Sequence, residues 1–190
     1  MIETIKASID LALLIDLVGF GFTLLYLIFI IRQNALGWYF SIVGSLIFAY
    51  SCYSGQLYIQ SILYLFYVLI AVYGIVQWNK VSQAPKIRSM SFQFHVTFLS
   101  VSVILGTTLG FIFAQYTNQE LPYLDGIISI GAIGTTHLVV SKNRENWLYW
   151  MAINAASMYL YYSQSLWILV AMSFILFCVA IKGYLHWSKV

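Results

Sequence analysis

Charge is the scarcest property of this sequence. Of its 190 residues only 8% are Asp, Glu, Lys or Arg, against the roughly one quarter that soluble domains carry, so a water-soluble globular fold is excluded. The net charge of +3 sits in short connecting segments rather than in one patch, which argues against a nucleic-acid partner. Proline is nearly absent. Pro85 lies in a polar linker and Pro122 at the head of an apolar segment, so no apolar run is broken by one. The two cysteines, Cys52 and Cys178, each stand inside an apolar segment, where packing is their simplest role and redox compartment cannot be read from them. No CxxC, HExxH, P-loop or GxGxxG pattern occurs. An enzyme, a bound metal and a cofactor are therefore not expected.

What the chain has in abundance is apolar surface: 62% hydrophobic residues, with aromatics at 18%. A membrane span needs about 20 mostly apolar residues. Seven segments qualify, at 10–31, 37–54, 57–78, 93–116, 123–140, 146–163 and 166–187. The fold class expected is an all-α polytopic membrane protein with seven transmembrane helices in one membrane domain over 1–190, and the lipid bilayer is its first partner. The N-terminal run reads as a span and not a signal peptide, because its charged head is weak and no small-x-small site follows. With seven spans, Arg32, Lys80, Lys86, Arg88, Lys142, Arg144, Lys182 and Lys189 fall on one side and Lys6 alone on the other. The positive-inside rule then puts the N-terminus outside and the C-terminus in the cytoplasm.

The sequence also repeats itself. A shift of 109 residues lays Asp16 on Asp125, Asn34 on Asn143 and Trp38 on Trp147, and further along Gly74 on Gly183 and Trp78 on Trp187. Each block holds three spans, 10–78 and 123–187, with the span 93–116 between them. An odd insert makes both blocks enter the membrane the same way, giving a 3+1+3 parallel repeat of the SWEET-like kind, in which solute sites lie near the midplane.

Candidate site residues follow from helical spacing. Trp147, Trp150 and Asn154 share one helix face, where two indoles and a carboxamide can hold a flat heteroaromatic solute and bond its polar edge. The alternative places the tryptophans in an interfacial belt and Asn154 in a hydrogen bond to a neighbouring helix. In the third span Gln60, Tyr64 and Tyr67 share a face with Ala71 and supply a facing wall. Asp16, Asp125 and Trp38 are matched by the repeat and read as gating or structural, with proton coupling the sharper alternative for the acids. His137, near the end of the fifth span, reads as a neutral histidine bonded within the bundle.

With these residues in view, the chain resembles the PnuC family of vitamin transporters. The likeness is strongest from Lys142 to Asn154, with its Glu145-Asn146-Trp147-x-x-Trp150-x-x-x-Asn154 run, and in the closing Gly183-x-x-x-Trp187. Tyr73-Gly74-x-x-x-Trp78, Asp16 and Asp125 after Pro122 fit as well. The resemblance implies a bacterial inner-membrane protein that is usually a homotrimer. It implies facilitated diffusion of nicotinamide riboside without ion coupling, followed by phosphorylation inside the cell that traps the vitamin. This chain departs from the family's riboside carriers at Tyr64, where they tend to have Gln, and at Gly44, where they often have Asn. Other members of the wider family carry thiamine, riboflavin or deoxynucleosides, so these departures bear on cargo.

Overall fold

Long apolar stretches with no internal proline leave the backbone one way to satisfy its polar groups in lipid, which is to form helices. The computed structural model describes residues 2–54, 58–80, 87–116 and 120–189, with side chains except at 2–12 and 58–60. Among them it has seven helices: α1 (Ile2–Ile31), α2 (Leu36–Ser54), α3 (Tyr58–Asn79), α4 (Phe92–Tyr116), α5 (Pro122–Val140), α6 (Asn146–Ser163) and α7 (Trp167–Trp187). Six are long and apolar enough to cross a membrane. The exception is α6, whose 18 residues include Asn146, Asn154 and Ser157, all buried. The expected count of seven spans thus stands at six by length and composition, with α6 short of the mark because it carries a polar face into protein packing.

The chain divides into two compact units, residues 1–84 and 85–190. In the first, α2 lies between α1 and α3. In the second, α6 lies between α5 and α7, and α4 packs along α5. The segment expected as an insert between repeats is therefore part of the second unit. Its seam with α5 is made of glycine. A Cβ on Gly126 would run into the Gly106 carbonyl oxygen and come 2.7 Å from the Gly110 nitrogen, and one on Gly110 would lie 2.5 Å from the Tyr123 Cα. With so little side chain in the way, the two backbones touch, the small-xxx-small solution for helices that gain nothing hydrophobic by associating in lipid.

The same local geometry recurs 109 residues apart. α1 and α5 both end on a non-glycine residue in the left-handed region, Gln33 at φ 54° and Lys142 at φ 53°. In the first cap the Gln33 amide donates to the Ile30 carbonyl and the Asn34 amide to the Phe29 carbonyl, both at 2.9 Å. In the second the Lys142 amide donates to Val139 and the Asn143 amide to Leu138, both at 3.0 Å. These paired bonds are a Schellman motif, which uses up carbonyls that a helix end would otherwise leave bare. The following turns match too. The Gly37 amide donates to Asn34 and the Asn146 amide to Asn143, each at 3.1 Å.

Each unit is then closed by a tryptophan pair. Trp38 meets Trp78 with ring centroids 5.5 Å apart and planes at 86°. Trp147 meets Trp187 at 5.4 Å and 89°. The edge-to-face arrangement sets the positive rim of one ring on the negative face of the other. Gly74 and Gly183 make room for it, since a Cβ on either would sit 2.5 Å from the indole of Trp38 or Trp147.

Candidate functional site

The helix α6 starts from a turn that the cap on α5 fixes, and this sets the direction of its side chains. Trp147 is 1% exposed, held between the backbone at Gly183 and the ring of Trp187. The indole lies in the α6–α7 seam, and Trp38 has the same place at the α2–α3 seam. The Nε1 donors of both rings are buried with no acceptor among the described residues. Orphan donors of this kind cost about 1–3 kcal/mol each, so ring packing must outweigh them twice over.

One turn on, Trp150 is half-buried. Asn154 is 6% exposed, and its Nδ2 donates to the Trp150 carbonyl at 2.7 Å. That bond to its own helix settles which way the amide points, because only the nitrogen can donate to a carbonyl. Asn154 thus meets its own helix through Nδ2, and Oδ1 is its acceptor. Within the first unit, Tyr64 stacks on Phe48 with centroids 5.1 Å apart and planes at 22°, and lies at 6.1 Å and 62° to Tyr67. The Gln60 side chain lies outside the described residues.

The remaining candidates fall into two groups. Ser51 Oγ donates to Asp16 Oδ1 at 2.6 Å, tying α2 to α1. This bond gives Asp16 a place in the packing of the first unit. Asp125 stands in the first turn of α5, where the helix dipole favours an anion. His137 is exposed in the last turn of the same helix. The repeat pairs Asp125 with Asp16, but Ser51 has no equivalent: its mate is Leu160, 2% exposed.

Sequence reasoning passed over a polar cluster at the α5–α6 turn. Lys142, Asn143, Glu145 and Asn146 are all 6% exposed or less. Burial pushes the Lys142 amine below the ordinary lysine value. Ser89 Oγ donates to Glu145 Oε1 at 2.7 Å, and the Arg144 guanidinium approaches the same oxygen at 3.4 Å while lying 5.7 Å over the Tyr184 ring. The signal was present in the repeat: Arg144, Glu145 and Tyr149 stand where the first copy has Ala35, Leu36 and Phe40.

One further hollow is chemically different. A groove of about 520 Å³ in the first unit is lined by Leu14, Ile15, Val18, Val43, Leu46, Ile47 and Tyr50. It offers a polar solute almost nothing to bond.

Comparison with known proteins bears on this arrangement. A family model described as nicotinamide mononucleotide transporter matches residues 13–189. The nicotinamide riboside transporter PnuC of Neisseria mucosa is 22% identical over 186 residues, covering 87% of this chain and 68% of its own length. A crystal structure of the vitamin B3 transporter PnuC superposes with a TM-score of 0.75 at 21% identity, over 99% of this chain and 86% of that one. At that identity the superposition speaks for the fold. The family match, spanning nearly all seven helices, settles the class: the chain belongs to the nicotinamide riboside and mononucleotide transporter family of multi-pass membrane proteins, which are transporters and not enzymes.

Proposed function

We propose that this protein is a facilitator carrying nicotinamide riboside, or a closely related B-vitamin nucleoside, down its gradient across the bacterial inner membrane. Phosphorylation inside the cell then traps the solute. The observation that carries the reading is the Trp150–Asn154 pair one turn apart on α6, a half-buried tryptophan and a buried carboxamide whose Nδ2 is bonded to the Trp150 carbonyl. The riboside presents a flat pyridinium cation and a carboxamide. An indole face attracts the first, and Oδ1 of Asn154 accepts from the N–H of the second. Tyr64 and Tyr67, with Gln60 on the same helix, are proposed as further solute contacts.

The unphosphorylated nucleoside is favoured over the mononucleotide on charge. A phosphate group in a dry site calls for Arg or Lys. Every Lys and Arg of this chain lies near a helix end or in a connection, and the proposed contacts named above are all neutral. A second cargo reading, thiamine or riboflavin, draws on the Phe48–Tyr64 stack, which offers a wider aromatic surface where riboside carriers tend to have Gln.

The 3+1+3 SWEET-like parallel repeat belongs to the same proposal and is supported by the matched caps and Trp–Gly–Trp closures. The N-out, C-in orientation is supported by the lysine and arginine distribution. A homotrimer with one path per protomer is carried by the family resemblance. Asp16 and Asp125 are assigned structural or gating roles.

The test uses purified protein and a panel of riboside, mononucleotide, thiamine and riboflavin. Saturable quenching of tryptophan fluorescence by the riboside, weakened in Trp150→Ala and Asn154→Ala, is the expected result. Unchanged affinity in both variants removes the pocket. Uptake into liposomes without a kinase should stop at equal concentrations; accumulation against the gradient would establish ion coupling instead.

A further inference from the structure

The second unit makes polar contacts that the first has no residues to make. The Arg88 amide donates to the Lys142 carbonyl, and the Arg144 amide donates to the Arg88 carbonyl, both at 3.0 Å. The segment leading into α4 is thereby paired with the α5–α6 turn as a short parallel bridge. Beside it, Ser89 Oγ donates to Glu145 Oε1 at 2.7 Å. Further on, within α4 and α6, His95 Nδ1 and the Tyr149 hydroxyl lie 2.6 Å apart. Two side-chain contacts, in register, hold the start of α4 against the start of α6.

The first copy of the repeat serves as a control. Its turn has the same cap and the same backbone bonds, yet Leu36 and Phe40 replace Glu145 and Tyr149. Leu36 is 51% exposed where Glu145 is 5%. The fold of the turn therefore does not require the acid or the phenol. They occur in the copy that has an extra helix to hold. Keeping a carboxylate there is unfavourable in itself, because its Oε2 is buried with no partner among the described residues.

Tyr149 is on the helix that carries Trp150 and Asn154, and Glu145 is the residue at its N-cap. We infer that Ser89 and His95 on the α4 side, with Glu145 and Tyr149 on the α6 side, form a latch by which the linker helix positions the solute-binding helix and moves with it during transport. All four are positioning residues; none touches the solute. This inference rests on the reading of the chain as a transporter whose solute meets α6.

The experiment compares full-length wild type, Ser89→Ala, Ser89→Thr, Glu145→Gln, Tyr149→Phe and the Ser89→Ala/Glu145→Gln double variant in proteoliposomes. Uptake rate for the riboside, its Kd by tryptophan quenching and the thermal midpoint are measured on each. Glu145→Gln and Tyr149→Phe should lower the maximal rate about tenfold with Kd within about twofold of wild type. The double variant should be no slower than Glu145→Gln alone, and Ser89→Thr, which keeps the donor, should retain the wild-type rate. Wild-type rates in the variants, a loss confined to Kd, or additive losses in the double variant overturn the latch. If Glu145→Gln does not fold, Ser89→Ala and Tyr149→Phe decide the matter by the same rate and Kd criteria. If wild type carries no solute of the panel, the transporter reading fails separately. The latch is then judged on the thermal cycle: coupled midpoints uphold the α4–α6 contact and additive ones remove it.

Discussion

Two buried indoles, one in each unit, anchor the packing at the scale of single residues. Trp38 and Trp147 are 0% and 1% exposed, and each depends on a glycine on the next helix but one side chain short of a clash. Adding a methyl group at Gly183 would force the Trp147 ring to move, and overpacking of this kind costs about 1–3 kcal/mol. We expect Gly183→Ala to lower the thermal midpoint in detergent, and to lower it less when Trp147→Phe is made with it, since the smaller ring leaves space. Gly21 is the control. A Cβ there meets nothing within 4 Å, so Gly21→Ala should be neutral or stabilise by roughly 0.5–1 kcal/mol through the lost entropy of glycine in a helix. A fall in midpoint equal at both sites would show that packing against the indole is not what Gly183 provides. Of the two tryptophans in the opening turns of α6, Trp147 is buried against Gly183 and Trp150 is half-buried.

Between helices the decisive contact is the seam of α4 on α5. Gly126 faces backbone, the Gly106 carbonyl and the Gly110 nitrogen, and backbone cannot step aside by changing rotamer. Gly126→Ala should therefore cost more than Gly183→Ala, with the midpoint falling further and folded yield dropping. Gly131, where the nearest atoms to an added Cβ are the Ile153 side chain at 3.7 Å, should accept Ala with little change. If the two behave alike, close helix approach is not what holds α4 in the second unit. The elements themselves were legible in the sequence, since α2 to α7 fall within a residue or so of the apolar segments that foretell them. Their partners were not. Hydropathy marks where a helix runs and says nothing of which neighbour it touches, so α4 read as a free insert although Gly106, Gly110 and Gly126 were in plain view. The site was half legible for a similar reason. Spacing put Trp147, Trp150 and Asn154 on one face, but a face is wider than a pocket, and the Gly183 approach that buries Trp147 is not written in that spacing. Glu145 and Tyr149 needed the repeat to be read for its differences rather than its identities.

The whole molecule turns on whether α6 crosses the bilayer. By composition it falls short, the only one of the seven described helices to do so, while the proposed N-out, C-in orientation needs it to cross. With α6 crossing, Lys142 and Arg144 share a side with Lys182 and Lys189. Without it, α7 runs the other way and delivers the last lysine to the outer face, against the positive-inside rule. The structure supplies the reconciliation: α6 lies between α5 and α7, so its buried Asn146, Asn154 and Ser157 meet protein and not lipid. A polar face that lipid would penalise is then tolerated. We expect α6 tested alone in an insertion reporter to enter the membrane poorly, and the α5–α7 segment tested whole to insert with α6 spanning. Single cysteines introduced at Ser141 and Gln164, in a chain with Cys52 and Cys178 replaced, report the sides directly. Gln164 should react with an impermeant thiol reagent added outside intact cells, and Ser141 should react only after lysis. Reaction of both, or of neither, before lysis would leave α6 on one side of the membrane, reduce the spans to six and overturn the proposed parallel repeat.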